Sequence, residues 1–200
     1  RGFDRPNLHF FAQSSMKPKA RIHEVARLVQ SIQGSGIVYT LTRKETEATA
    51  EFLNEQNITA TAYHAGLDKD KRTNIQHRFM ENEFRVIVAT VAFGMGVDKA
   101  DIRFVIHAGM PGSIEGYYQE AGRAGRDGEK AYCILLHSGK DNGMHSWFSL
   151  KAQDDMARLC KQPHEIADMV SMKKRQLETM KQYLDTQCRR RMILSYFNDE

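Results

Sequence analysis

Short β-type runs alternate with segments of helical periodicity along the first two thirds of this chain. The runs are rich in valine, isoleucine, tyrosine and phenylalanine, which favour strands, and they occupy residues 7–12, 36–40, 60–63, 85–90, 104–107 and 131–136. Between them, apolar residues recur every three or four positions, as in Ile22, Val25 and Val29. Alternating strands and helices favour a parallel sheet covered by helices on both faces. We therefore predict an α/β fold with three layers, α/β/α, and a mostly parallel sheet.

Two predicted helices begin with recognisable capping residues. Thr42 and Glu45 have the S/T-x-x-E spacing of a capping box. Ser113 precedes another helical segment and is interpreted as its N-cap. After residue 136 the pattern changes: residues 139–160 are predicted to be irregular to helical, and residues 162–187 form a helix with an apolar stripe. A short final helix begins at Cys188 and runs to the end of the sequence.

Composition excludes several classes of protein. No apolar run approaches the roughly 20 residues that span a bilayer, so no membrane segment is expected. The three cysteines are widely spaced and include no C-x-x-C pair, which argues against a disulfide framework or a local zinc site. We expect an intracellular protein, cytoplasmic and nucleoid-associated in a bacterium or nuclear in a eukaryote.

The net charge of +4 is concentrated near the C-terminus. Residues 173–191 contain seven cations against two anions, a net charge of +5. Such a segment fits either nucleic-acid binding or a solvated helix face, and the sequence alone favours neither. His145, Trp147 and Phe148 fit a base-stacking site, although ordinary packing against the domain explains them more simply.

The stretch from Ser113 to Gly128, SIEGYYQEAGRAGRDG, carries the strongest chemical signal. Arg123 and Arg126 lie three residues apart among small residues, so their guanidinium groups can reach one side of a surface. Two planar, permanently charged forks suit a polyphosphate. Taken alone, the pentapeptide Gly-Arg-Ala-Gly-Arg also fits a flexible basic turn at a helix end.

The longer stretch resembles motif VI of superfamily 2 helicases, Q-x-x-G-R-x-G-R, and its wording YYQEAGRAGRDG resembles the RecQ family in particular. This resemblance implies a RecA-like lobe in which Arg126 is the arginine finger. It also implies that Arg123 is a second phosphate contact and that Gln119 is a nucleotide sensor.

Three further segments resemble motifs of the same family. Residues 89–99, ATVAFGMGVDK, resemble motif V. This implies that Gly96 and Asp98 lie near the nucleotide ribose and that Thr90 lies near the nucleic-acid backbone. The segment YHAGL resembles motif IVa, which implies that His64 is a nucleic-acid contact, and GIVYTLTR resembles motif IV. The second of these implies that Thr42 and Arg43 contact phosphates of one strand, which positions DNA without reading its sequence.

Two expected motifs are absent from these 200 residues. There is no G-x-x-x-x-G-K-S/T phosphate loop and no D-E-x-H stretch to hold magnesium. We therefore expect a missing N-terminal motor lobe that supplies both. The resemblance implies that the full-length protein is an ATP-dependent, magnesium-requiring 3′ to 5′ helicase. It would act on single-stranded and partly duplex DNA, in DNA repair and recombination, and this fragment alone would be inactive.

The resemblance also suggests three regions. Residues 1–140 form the second motor lobe, residues 141–187 a helical extension and linker, and residues 188–200 the truncated start of a zinc-binding subdomain. In that family the cysteine at the position of Cys188 is the first of four zinc ligands. Because one thiolate cannot form a tetrahedral site, this fragment is not expected to bind zinc, whereas the full-length protein is.

Two other functions stay open at this point. The first is a lobe of a DEAD-box-like RNA helicase, against which Gln119 argues because that group typically has histidine there. The second is a passive nucleic-acid-binding or annealing module that uses the basic C-terminal segment without ATP.

Overall fold

The computed structural model of the protein describes residues 3–14, 17–93, 98–159 and 162–199, which form six strands and seven helices. The strands are β1 (Leu8–Gln13), β2 (Ser35–Tyr39), β3 (Ala60–Tyr63), β4 (Val86–Ala89), β5 (Ile102–His107) and β6 (Ala131–Leu136). The helices are α1 (Pro18–Ser31), α2 (Arg43–Glu55), α3 (Lys69–Met80), α4 (Ile114–Ala121), α5 (Gly139–Arg158), α6 (Pro163–Asp185) and α7 (Arg189–Tyr196).

The six strands form one sheet in the order β1-β6-β5-β2-β4-β3, and every neighbouring pair is parallel. Successive side chains of a strand point to opposite faces, which divides the core into two clusters. One cluster contains Val25 of α1 and Leu53 of α2. The other contains Phe79 of α3, Tyr117 of α4 and Tyr183 of α6. The predicted three-layer α/β/α fold is thereby confirmed.

A glycine allows β2 to lie close to its neighbour. A β-carbon at Gly36 would lie 2.1 Å from the ring of Phe104 on β5, well inside contact distance. Phe104 is fully buried and packs against the α1 and α2 face of the sheet. The space that this ring occupies therefore requires a residue without a side chain in β2.

The capping predictions are confirmed. Thr42 and Glu45 form the reciprocal hydrogen bonds of a capping box at the start of α2. The Ser113 side chain accepts from the backbone N–H of Gly116 at 3.1 Å, which caps α4. Both hydroxyl groups therefore satisfy backbone donors that a helix leaves unpaired at its start.

The C-terminal part is more helical than the sequence indicated. Residues 139–160 were expected to be irregular to helical, but α5 extends over 20 of them and begins with a capping box of Ser138 and Asp141. The final helix was expected to run to the end of the sequence, whereas α7 ends at Tyr196. Asn198 then adopts a left-handed backbone conformation with φ 53°, which cannot continue a helix. Among the described helices, none has the length and apolar character needed to cross a membrane.

Candidate functional site

The carboxyl ends of four adjacent strands, β3, β4, β2 and β5, meet at one edge of the sheet. Backbone hydrogen bonds join the loops that leave them. Thr40 donates to the carbonyl of Ala89 at 2.8 Å, and Thr90 donates to the carbonyl of Tyr63 at 3.2 Å. In open parallel sheets this edge is where ligands bind. Most of the predicted site residues lie in or next to these loops.

A tight turn after α4, residues 122–128, holds the two predicted phosphate-binding arginines; we call it the arginine turn. Its backbone reverses at Gly125, which has φ 54°, and at Gly128, which has φ 86°. The N–H of Gly125 donates to the carbonyl of Ile102 at 2.8 Å, which fixes the turn to the start of β5. Arg123 and Arg126 are therefore carried on an ordered segment with glycines at its left-handed positions.

The arginine turn brings two predicted nucleotide-contacting residues together. Arg126 Nη1 lies 2.5 Å from Asp98 Oδ1, and the two side chains are 37% and 84% exposed. An ion pair this open to solvent contributes little, about 0 to 1 kcal/mol. The guanidinium can therefore exchange the carboxylate for phosphate oxygens at small cost. Gly96, the other predicted ribose contact, lies outside the described residues.

Arg123 has a more enclosed environment. Its Nε is buried and has no hydrogen-bond partner in the described part of the chain. The side chain lies near the hydroxyl of Tyr39, which donates to the carbonyl of Phe93 at 2.8 Å. Burial raises the pKa of Tyr39 well above its ordinary value, the charge of Arg123 opposes that rise, and the carboxylate of Glu120 adds to it. Tyr39 is therefore a neutral hydrogen-bond donor at physiological pH.

A buried histidine that the sequence analysis missed supports this region. His107, at the end of β5, is 1% exposed, and its Nε2 lies 2.8 Å from Glu120 Oε2. Its ring stacks on Tyr39 with centroids 5.1 Å apart. The only sequence signal was a histidine closing an apolar strand, FVIH. Gln119, the neighbour of Glu120 on α4, is exposed.

Two predicted nucleic-acid contacts meet across the β2 and β3 loops. A β-carbon at Gly66 would lie 3.0 Å from Arg43 Nη1 and 3.1 Å from His64 Nδ1. The guanidinium of Arg43 therefore passes directly over Gly66, close to the imidazole. His64 is 4% exposed, and its Nε2 is 3.0 Å from Glu47 Oε1.

The two threonines of the predicted interface differ in their surroundings. The Thr42 hydroxyl is already engaged at 3.2 Å with both the backbone N–H and the carboxylate of Glu45. Thr90 is partly buried at the end of β4, and its carbonyl accepts from the N–H of Phe93 at 3.1 Å. A ligand that bound the Thr42 hydroxyl would therefore compete with the cap of α2. Thr90, by contrast, is the first residue of a tight turn.

Cys188 is separate from this edge. It is exposed and occupies the N-cap position of α7, beside a shallow depression lined by β1 residues. Within the described ranges, no group of three or more histidine, cysteine, aspartate or glutamate side chains is arranged to hold a metal ion. Those residues therefore provide cations and hydrogen-bond donors but no cluster of metal ligands.

The chain belongs to the helicase conserved C-terminal domain family, which matches residues 18–128. Within that class it is of RecQ type. It is 39% identical over 206 residues to the ATP-dependent DNA helicase hus2/rqh1 of Schizosaccharomyces pombe, covering 98% of this chain and 14% of that protein. It is 40% identical over 200 residues to the ATP-dependent DNA helicase RecQ of Bacillus subtilis, covering 100% of this chain and 32% of that protein.

A third relative is named as an RNA helicase. A putative ATP-dependent RNA helicase of Acanthamoeba polyphaga mimivirus is 38% identical over 200 residues, covering 99% of this chain and 34% of that protein. The chain thus spans at most about a third of the length of these relatives.

Solved structures confirm the fold. A DEAD box protein from the hyperthermophile Methanococcus jannaschii matches 72% of this chain and 40% of that chain, with a TM-score of 0.61 and 23% identity. At this identity the likeness concerns the architecture of the lobe.

Proposed function

We propose that this chain is the second motor lobe of an ATP-dependent 3′ to 5′ DNA helicase. The observation that supports it best is the pairing of Arg126 with Asp98, both open to solvent, with Arg123 on the same turn. A first lobe elsewhere in the full-length protein would supply the phosphate loop and the magnesium site. ATP would bind between the two lobes, and the fragment alone would be inactive.

In this proposal each residue has a distinct role. Bound ATP with magnesium supplies the phosphoryl group that is transferred to water. Arg126 exchanges Asp98 for the γ-phosphate and stabilises the charge that develops there, and Arg123 holds a neighbouring phosphate. Asp98, released from Arg126, accepts from a ribose hydroxyl together with Gly96. Gln119, which is exposed on α4, senses the nucleotide and couples it to the opposing lobe.

The nucleic acid would lie along the carboxyl edge of the sheet, over the loops that follow β2, β3 and β4. Arg43 provides the charge for a backbone phosphate. Thr42, His64 and Thr90 provide hydrogen bonds or fix the loops that make them. Such contacts are independent of base sequence and weaken as salt concentration rises.

The regions beyond the lobe complete the proposal. Residues 141–187 serve as a helical extension and linker, and residues 188–200 begin a zinc-binding subdomain. Cys188 would be its first ligand, with the remaining ligands supplied by other parts of the full-length protein. The partners are single-stranded and partly duplex DNA, in a bacterial cytoplasm or a eukaryotic nucleus.

The decisive experiment is steady-state ATPase of the full-length Arg126→Ala protein with single-stranded DNA. We expect turnover to fall by on the order of 10³-fold, because an arginine finger acts on transition-state charge. Arg78→Ala is the matched control, since Arg78 is also an ion-paired surface arginine, 43% exposed beside Glu83, but lies at the end of α3. Near-normal turnover of Arg126→Ala would refute the assignment.

A second candidate is an RNA helicase lobe, because one relative is named as a putative RNA helicase. Unwinding of matched DNA and RNA duplexes by the full-length protein distinguishes the two. A third is passive nucleic-acid binding through α6, where Lys174 and Arg175 are exposed and Lys173 is partly so. Full-length protein that binds DNA but never hydrolyses ATP, and that loses binding when these three cations are neutralised, would favour this module.

A further inference from the structure

The segment that precedes β1, residues 4–7, forms hydrogen bonds to the backbone of the arginine turn. Arg5 Nη1 donates to the carbonyl of Gly122 at 3.2 Å. Its Nη2 donates to the carbonyls of Ala124 at 2.9 Å and Gly125 at 2.7 Å. One guanidinium group therefore binds three carbonyl oxygens within four consecutive residues. The Gly122 carbonyl lies at the end of α4, where carbonyls have no partner within the helix, whereas the Gly125 carbonyl also accepts from the N–H of Gly128 at 3.1 Å.

The carbonyls that Arg5 holds belong to the peptide bonds just before the two functional arginines. The Gly122 carbonyl is joined to the nitrogen of Arg123, and the Gly125 carbonyl is joined to the nitrogen of Arg126. Because each peptide unit is planar, fixing its oxygen also fixes its nitrogen and the direction of the next Cα. Arg5 therefore orients the main chain from which both guanidinium side chains extend.

Asn7 adds a second grip. Its Nδ2 donates to the carbonyl of Gly125 at 2.8 Å and to that of Glu129 at 2.9 Å. The space between them is filled, since a β-carbon at Gly125 would lie 2.5 Å from Asn7 Nδ2. The turn is thus packed against the segment as well as hydrogen-bonded to it.

The segment is in turn anchored by α7. Arg190 Nη1 donates to the carbonyl of Arg5 at 2.8 Å, and its Nη2 donates to the carbonyls of Leu8 at 2.6 Å and Pro6 at 3.3 Å. The same Nη1 is 2.6 Å from Asp4 Oδ1. Two arginines in series therefore connect α7 to the arginine turn.

We propose that Arg5 is a positioning residue for Arg126 and Arg123, with Arg190 holding Arg5 in place. This inference rests on the proposed function, because it assigns Arg5 to the same phosphate-contacting turn. Arg5 itself touches only the backbone of the turn. Its effect is therefore on the placement of the two guanidinium groups, whereas Arg5 makes no contact of its own with ATP or DNA.

Arg85 provides a matched control. It also donates to three carbonyl oxygens, those of Val29 and Ile32 at 2.6 Å each and that of Gly34 at 3.1 Å. These lie where α1 ends and β2 begins, at the end of the sheet where β5 also begins, and none of the three belongs to the arginine turn. Replacing Arg5 or Arg85 by glutamine removes a guanidinium group that donates to three backbone carbonyls. Only the carbonyls bound by Arg5 lie next to Arg126, the proposed arginine finger.

The experiment compares Arg5→Gln with Arg85→Gln in the full-length protein. We expect similar losses of thermal stability. Only Arg5→Gln should lower the DNA-stimulated kcat, by about 10- to 100-fold with DNA affinity little changed, as expected for a small misplacement of a catalytic group. Equal kcat values in the two variants would overturn the proposal.

Two further variants keep the test decisive. If Arg5→Gln does not fold, Arg5→Lys keeps the charge but loses the planar fork, and wild-type kcat in it would overturn the proposal. In an Arg126→Ala background, Arg5→Gln should lower kcat much less than it does alone, whereas an undiminished loss would count against positioning. Normal turnover in Arg126→Ala itself would instead refute the proposed function.

Discussion

Replacing Arg21 by methionine removes one partner of a buried ion pair that joins α1 to α5. Arg21 Nη1 lies 2.6 Å from Asp141 Oδ1, and the two side chains are 8% and 1% exposed. The other oxygen of Asp141 accepts from the backbone N–H groups of Met110 at 3.1 Å and Ser138 at 3.0 Å. The substitution keeps most of the side-chain volume but leaves the carboxylate buried without a counter-charge.

The magnitude follows from that burial. Removing one partner of a buried pair costs about 3 to 5 kcal/mol. Because two backbone N–H groups still solvate Asp141, we expect the lower end, about 3 kcal/mol of unfolding free energy. For a chain of this size that corresponds to a melting temperature about 6 to 12 °C lower.

Arg27→Met is the control on the same helix. Arg27 pairs with Glu24 at 2.6 Å, but its side chain is 64% exposed, so water and salt screen the pair and its loss should change stability little. Urea denaturation of both variants gives the comparison. Adding Asp141→Asn to Arg21→Met should recover part of the loss, because a neutral amide needs no counter-charge. If Arg21→Met is within about 1 kcal/mol of Arg27→Met, the buried pair does not contribute as argued.

Two further predictions concern a turn and a thiol. Gly125→Ala should lower the free energy of unfolding by more than about 2 kcal/mol in urea denaturation, because its new methyl would lie 2.7 Å from a backbone carbonyl oxygen. Gly128→Ala, with nothing within 4 Å, should cost about 1 kcal/mol, and equal costs would contradict the steric argument. Burial raises the pKa of the Cys133 thiol to about 12. In a Cys160→Ser, Cys188→Ser variant, a disulfide reagent at pH 8 should therefore label Cys133 only when the protein unfolds, and rapid labelling of the folded protein would contradict this.

Local sequence patterns predicted the helices and strands better than they predicted which of these elements pack together. All six strands follow from short apolar runs, and the box formed by Thr42 and Glu45 follows from spacing alone. The same kind of signal existed at Ser138 and Asp141, two acceptors three residues apart, and overlooking it led us to underestimate the helical content of α5. Strand order was not predictable, because it depends on contacts between residues far apart in the chain.

The site shows the same limit. The sequence placed Arg126 and Asp98 in separate motifs, and the fold brings them within 2.5 Å of each other. The buried position of His107 and the grip of Arg5 on the turn had no local pattern to indicate them. A charged residue near a strand is ordinarily exposed. The role of Arg5 is therefore indicated only by the positions of its hydrogen-bond partners, which lie more than 100 residues away in the chain.

The pairing of β1 with β6 has a consequence for synthesis of the protein. Leu8 aligns with Ala131, so the two strands that form one edge of the sheet are 123 residues apart in the chain. At about 5 to 20 residues per second, a ribosome needs roughly 6 to 25 s to pass from one to the other. During that interval Leu8 and Phe10 have no neighbouring strand and remain open to chaperones. The arginine turn, at the end of the sheet where β5 begins, also leaves the ribosome after the loops that follow β2, β3 and β4, so the lobe becomes complete only near the end of this stretch of translation.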